Sequence, residues 1–328
     1  MAHRLGFAVK VVGDGGRPSH DARRWQSGPH LRISLERLAD VFDYLESVDI
    51  RMYRMASALV PYGSHPDMPQ FHGQVEECRD QLSSLGQRAR AAGIRLSFHP
   101  GQYVVLNSEE ERVRRAAVLD LELHASVLDG LGAGPEAVVV LHVGGAAGGT
   151  RAGLDRFASG FELLGERARA RLAIENDDAR FGLSDVLGLA ERTGIRVVWD
   201  VLHHRCHDPD RIPVGEALQL ALATWDGRAP AKIHYSSPRT DVGERRERAG
   251  RRVRRSLALP SPRAHAALID PGGFEDFLNG PGAGHKFDVM LEAKAKDLAL
   301  IRLRDQLCRR GFRWSRGRIE RVEADACG

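Results

Sequence analysis

At 328 residues with 42% apolar side chains, the chain can bury a large core without disulfide staples. Its net charge of +4 permits a nucleic-acid partner without requiring one, and no run approaches the roughly 18 consecutive apolar residues of a membrane span. The four cysteines (78, 206, 308 and 327) form no Cys-x-x-Cys pair and the start Met1–Lys10 is too polar for a signal peptide, so a soluble, cytoplasmic protein is expected.

In chain order, an apolar run at Arg4–Val9 predicts the first strand. Leu31–Leu45 follows, with Leu31, Leu35, Leu38, Phe42 and Leu45 at the spacing of one helical face. Ile50–Ala56 predicts a second strand, Gln81–Ala92 a helix, and Ile94–His99 a third strand. Arg114–Leu128 reads as a helix and Ala137–Val143 as a strand. Next come helix Leu154–Ala168, strand Leu172–Glu175, helix Leu183–Glu191 and strand Arg196–Asp200. Pro213 opens helix Val214–Ala223, and Ala231–Tyr235 and Phe287–Glu292 complete the strands before a last helix, Lys294–Arg309. Gly93, Gly132 and Gly194 each fall between a helix and a strand, where a left-handed cap is needed.

Alternating strand and helix predict a parallel sheet with right-handed crossovers, and eight repeats predict closure into a single (β/α)8 barrel, an α/β fold, over residues 1–310. Two segments stand apart. Residues 238–263 are rich in arginine and poor in apolar residues, readable either as a solvated charge run or as a contact for a phosphate backbone. Residues 311–328 read as a basic, loosely held C-terminal tail.

Chemistry concentrates at the ends of the predicted strands. His99, His142, Glu175, Asp200, His234 and Glu292 each stand at or within a residue or two of a strand's C-terminal end, the face on which such barrels carry their active sites. One buried histidine would be ordinary packing; six metal-type residues in succession are not. His203, one turn beyond Asp200, and His265 extend the set. Mixed imidazole and carboxylate donors suit Mn²⁺, Zn²⁺ or Fe²⁺ better than Mg²⁺ or Ca²⁺, and eight ligands imply two or three ions, the usual device for phosphodiester hydrolysis. The cluster His203-His204-Arg205-Cys206-His207 offers a competing structural zinc site, weakened by its single thiol. Two loops on the same face, Pro61–Pro66 with His65 and His99–Tyr103 with Gln102 and Tyr103, could meet a base edge or could be ordinary turns.

Taken together, eight segments resemble the UV damage endonucleases, relatives of the apurinic-site endonucleases and xylose isomerase-like enzymes of the same barrel superfamily. The segments are Leu59–Pro66, Leu96–Tyr103, Leu141–Gly145, Leu172–Asp177, Asp200–His204, Lys232–Ser237, Arg263–Ala266 and Val289–Lys294, in the family's order. The resemblance implies a DNA repair nuclease that nicks damaged double-stranded DNA 5′ to pyrimidine dimers and related lesions. Divalent ions, Mn²⁺ above all, would be its cofactor. It places metal ligands on His99, His142, Glu175, Asp200, His203, His234, His265 and Glu292, and catalytic roles on Glu175, Glu292, Lys232 and His65. Lys232 falls on a lysine carboxylated in the family, and Gln102 and Tyr103 on its lesion-probing pair. Phe7 and Val11 depart from the family's tyrosine and asparagine, removing a hydroxyl and an amide.

The rivals are a barrel enzyme of the same superfamily acting on another substrate (an apurinic-site endonuclease, a sugar isomerase or an iron-dependent peptide-modifying enzyme) and a DNA-binding protein without catalysis. Gln102, Tyr103 and the arginine-rich segment favour DNA, and an intact ligand set argues against loss of chemistry.

Overall fold

The computed structural model describes residues 1–322 except 226, 228, 250 and 251, and the side chains at 245–249 and 252 lie outside that description. Eight parallel strands form the barrel: β1 (Ala2–Ala8), β2 (Met52–Arg54), β3 (Arg95–Ser97), β4 (Val139–His142), β5 (Leu172–Glu175), β6 (Arg196–Val198), β7 (Ala231–Tyr235) and β8 (Phe287–Leu291). Each lies within one of the eight expected runs or within two residues of it.

Neighbouring strands pair in chain order, and β8 returns to β1 through Leu5 opposite Val289. Two seams are single bridges, Phe98 to Val139 and Asp200 to His234. At the first, the Phe98 N–H donates to Val138 O and the Val140 N–H to Phe98 O, both at 3.0 Å. The barrel is closed.

Burial explains the strand sequences. Val139, Val140 and Leu141, like Leu172, Ala173 and Ile174, are buried on both faces because helices cover the outside and side chains fill the inside. Gly6 admits the Met52 side chain to the interior, since a Cβ there would lie 2.6 Å from Met52 Cγ. Lower in the barrel, Arg95 Nη1 meets Asp288 Oδ2 at 2.8 Å, and neither side chain reaches solvent. Alternation along β7 and β8 then sets an inward series, from Lys232 to His234 and from Asp288 through Met290 to Glu292.

The outer helices follow the expected order, and Gly93, Gly132 and Gly194 all take left-handed conformations. The stretch expected as one helix, Leu154–Ala168, is two, Thr150–Glu162 and Glu166–Arg171, interrupted where Gly165 N–H turns aside to Glu122 Oε1 at 2.6 Å. Helices Val201–Cys206 and Pro271–Asn279 are additional; the second starts on Asp270, whose carboxylate accepts from the Gly273 N–H at 2.9 Å.

Described residues of both unusual segments pair as hairpins. Gly243–Ala249 pairs antiparallel with Arg252–Ala258, so the arginine-rich segment carries a two-stranded ribbon. Phe312–Ser315 and Arg318–Arg321 form a second hairpin that adds to the edge of β1 opposite Ala2–Arg4. The expectation of a loosely held tail is therefore corrected for 312–321. Phe312 and Ile319 are buried, and that apolar contact outweighs the segment's charge; 323–328 lie outside the described residues. No described helix is long and apolar enough to cross a membrane.

Candidate metal centre

Pairing places the candidate ligands. His142 and Glu175 end adjacent strands in direct register, and Asp200 bridges His234. Asp200 also caps the short helix after β6, its Oδ1 accepting the His203 N–H at 2.8 Å. That cap turns the Asp-x-x-His spacing into a common facing, with His203 Nδ1 3.8 Å from Asp200 Oδ1 and 3.5 Å from Glu175 Oε1.

Glu175 is the hub. One of its oxygens lies 2.9 Å from His99 Nε2 and 3.7 Å from His142 Nε2, the other 2.9 Å from His234 Nδ1. Donor atoms form two groups that share it, His99–His142–Glu175 and Glu175–Asp200–His234–Glu292, each within 4.8 Å. His265 flanks them, Nδ1 2.9 Å from the Glu292 carbonyl and its ring 5.9 Å from that of His203. All eight expected ligands are thus gathered in one barrel mouth. Among the described residues, no metal-capable group includes His204, Cys206 or His207, so the alternative zinc cluster does not assemble.

Electrostatics follow from this crowding. Burial opposes the charge of Glu175, but His234 and His142, with hydrogen bonds from His234 and His99, hold its carboxyl well below the usual range. Burial likewise opposes Glu292, and the Arg54 guanidinium bonded to it, with His234, wins. Asp200 goes the other way: burial and the carboxylates of Glu175 and Glu292 push it up, against the pull of His203. His203 itself is raised to about 9, because Asp200, Glu175 and Glu292 outweigh its burial. The carboxylates repel one another.

Buried Asp200 Oδ2, His142 Nδ1 and His234 Nε2 have no hydrogen-bond partner in the protein. Carboxylates and imidazoles whose donor atoms lie within 4.8 Å of one another are a set that fits divalent cations. Lys232, one inward step below His234, has a buried Nζ with no partner either, and burial together with Arg95 and Arg54 pushes its ammonium far down.

Sequence reasoning missed two members. Arg54 ends β2 and so met the same positional rule, but guanidinium is not a metal ligand type. Asn176 follows Glu175: its side chain exchanges hydrogen bonds with the Asp200 backbone at 2.9 and 3.2 Å, and its carbonyl lies 3.0 Å from His203 Nδ1.

His65 and Tyr103 line a separate cleft of about 670 Å³ between the loops after β2 and β3. Tyr103 is 66% exposed and folds over Gly101, where a Cβ would lie 2.5 Å from the ring. Gln102 beside it is exposed. Ser64 Oγ donates to Asp120 Oδ1 at 2.7 Å, tying the His65 loop to the helix Glu111–Gly130. Phe7 is fully buried with its ring edge-on to Tyr53, and Val11 is buried too.

A family model described as UV-endonuclease UvdE matches residues 31–314. The chain belongs to this family. A UV DNA damage endonuclease of Bacillus pumilus is 32% identical over 262 residues, covering 80% of this chain and 76% of its own. Another, of Bacillus cereus, is 29% identical over 279 residues, covering 84% and 81%. The crystal structure of SacUVDE superposes with a TM-score of 0.78 at 29% identity, over 94% of this chain and 98% of that one. A 3-keto-D-glucoside 4-epimerase of E. coli superposes at 0.56 with 10% identity over 93% of this chain and 98% of its own, a likeness of fold alone. The chain is therefore a (β/α)8 barrel of the UV-endonuclease family.

Proposed function

We propose that this member of the UV-endonuclease family repairs DNA by holding two or three divalent ions, Mn²⁺ foremost, in the barrel mouth and nicking the backbone 5′ to pyrimidine dimers and related lesions. The observation that carries this reading is Glu175, whose two oxygens each face imidazoles and which two metal-capable groups share. When bound, such ions would lower the pKa of a water, stabilise the leaving oxygen and neutralise the charge that builds at phosphorus.

The chain's own residues supply the rest. Glu175 and Glu292 would bridge ions; Asp200, His99, His142, His203, His234 and His265 would complete their shells. Arg54 offsets the charge of Glu292 and fixes its orientation, and Asn176 holds Asp200 and His203 in place. Lys232 serves the same centre from below. Gln102 and Tyr103 would enter the duplex at the damaged step, where unstacking costs least, with His65 on the wall of the adjoining cleft. Three free cysteines among the described residues suit a cytoplasmic setting.

The test is purified protein with Mn²⁺ and an oligonucleotide duplex carrying one defined dimer. A nick 5′ to the dimer, leaving a 3′-hydroxyl and lost on chelation, is expected. Equal cutting of the undamaged duplex, or cutting that survives chelation, overturns the reading.

A further inference from the structure

We propose that the ribbon of Gly243–Ala249 and Arg252–Ala258 is a duplex-binding arm that runs along the phosphate backbone of DNA beside the metal centre. This rests on the DNA-cleaving reading and extends it to a surface outside the ligand set. Three observations converge.

The first is where the ribbon starts. Pro238 bridges His265, Arg239 N–H donates to Ala264 O at 2.7 Å and Ala266 N–H to Ser237 O at 2.9 Å. The two strands therefore rise from the backbone that carries His265, and anything lying along them is led to the barrel mouth.

The second is the exposure of the ribbon's second strand. Val253, Arg254, Arg255, Ser256 and Leu257 are exposed in succession, and successive residues of a strand point to opposite sides, so both faces of this strand meet solvent. An isolated two-stranded hairpin is marginally stable in water.

The third is charge and length. Residues 239–255 hold eight arginines against three acids, Asp241, Glu244 and Glu247. Seven residue pairs, at 3.4 Å per step, give the ribbon a reach of about 20 Å, the length of about six base-pair steps. A two-stranded ribbon is also an element that B-DNA's major groove admits. Clustered positive charge on a solvated arm next to a phosphodiester-cleaving centre matches a polyanionic duplex, and arginine binds phosphate in a fixed fork. The contact is with the backbone, so it is independent of damage and of base sequence.

The experiment measures binding of the full chain to an undamaged duplex over 50–200 mM salt. Its variants are Arg254→Gln with Arg255→Gln, and Arg254→Lys with Arg255→Lys. Each phosphate contact contributes about 0.9 to the slope of log affinity against log salt, so the glutamine pair should flatten the slope by about 1.8. The affinity lost across that salt range should then be about tenfold smaller than for the unaltered chain. The lysine pair keeps the charge and should keep most of the slope. An unchanged slope in the glutamine pair overturns the proposal. So does an equal loss in both pairs, or a change of oligomeric state in place of DNA affinity, which would mark the ribbon as a contact between copies of the chain. A chain that binds undamaged duplex with the expected salt dependence but nicks no dimer would overturn the repair reading and leave the arm standing.

Discussion

His234 Nδ1 and Glu175 Oε1 stand 2.9 Å apart at the centre of the barrel mouth, and neither side chain reaches solvent. An imidazole and a carboxylate in that contact satisfy one another only through a shared proton; a cation bound by both would replace that proton. In the function proposed above, the same two side chains are also metal ligands.

Substitution of the carboxylates tests that double role. Glu175→Gln and Glu292→Gln should each leave less than about a tenth of wild-type nicking at saturating Mn²⁺, because an amide cannot bridge ions and removes charge where the transition state needs it. Far-UV circular dichroism should be unchanged. Substantial nicking by both variants would remove the bridging assignment.

Arg54 was invisible as a ligand but is bonded to Glu292. Arg54→Met leaves that largely buried carboxylate without its partner, which costs about 3 kcal/mol or more where the loss is not relieved. The melting temperature of metal-free protein should fall by several degrees. Added Mn²⁺ should recover more stability in the variant than in wild type, since the ion meets an uncompensated charge. Equal shifts with and without metal would make Arg54 merely structural.

The His203 imidazolium is held to about 9 against an ordinary 6.5. A raised pKa contributes stability that is complete below about 6.5 and lost as pH rises through about 9, at most on the order of 3 kcal/mol. Lys232, pushed down, titrates in the opposite sense, so the wild-type curve alone mixes the two. Subtracting the metal-free stability of His203→Gln cancels the lysine. The difference should be largest near pH 6 and shrink toward pH 9–10. A difference that is flat with pH would show that the carboxylates do not hold that proton.

Replacing Gln102 and Tyr103 together by alanine should impair the preference for damaged over intact duplex while leaving metal content unchanged. Stacking on one base is worth about 1–3 kcal/mol, so the preference should drop by about 5- to 150-fold. Competition binding with dimer-containing and plain duplexes measures the first, elemental analysis the second. Loss of metal would make the turn a structural support of His99.

Each of the eight barrel strands was legible as a short apolar run because burial on both faces is a local property of the chain, and so was the position of six candidate ligands at their ends. The Asp200–His203 spacing was readable for the same reason, since one helical turn sets it. What tertiary structure alone decided is which atoms meet. Glu175 became the hub through its register with His142 and through a seam between β6 and β7 that brings His234 alongside. Arg54 became its partner's counter-ion across 238 residues of sequence. The two hairpins were hidden because pairing depends on a partner strand: Arg318–Arg321 reads as a charged tail until β1, some 300 residues away, offers an open edge. Runs of arginine carry no local signal of the pairing that turns them into a ribbon. Composition and periodicity act over a few residues, whereas register is a contest among distant segments that only the closed barrel resolves.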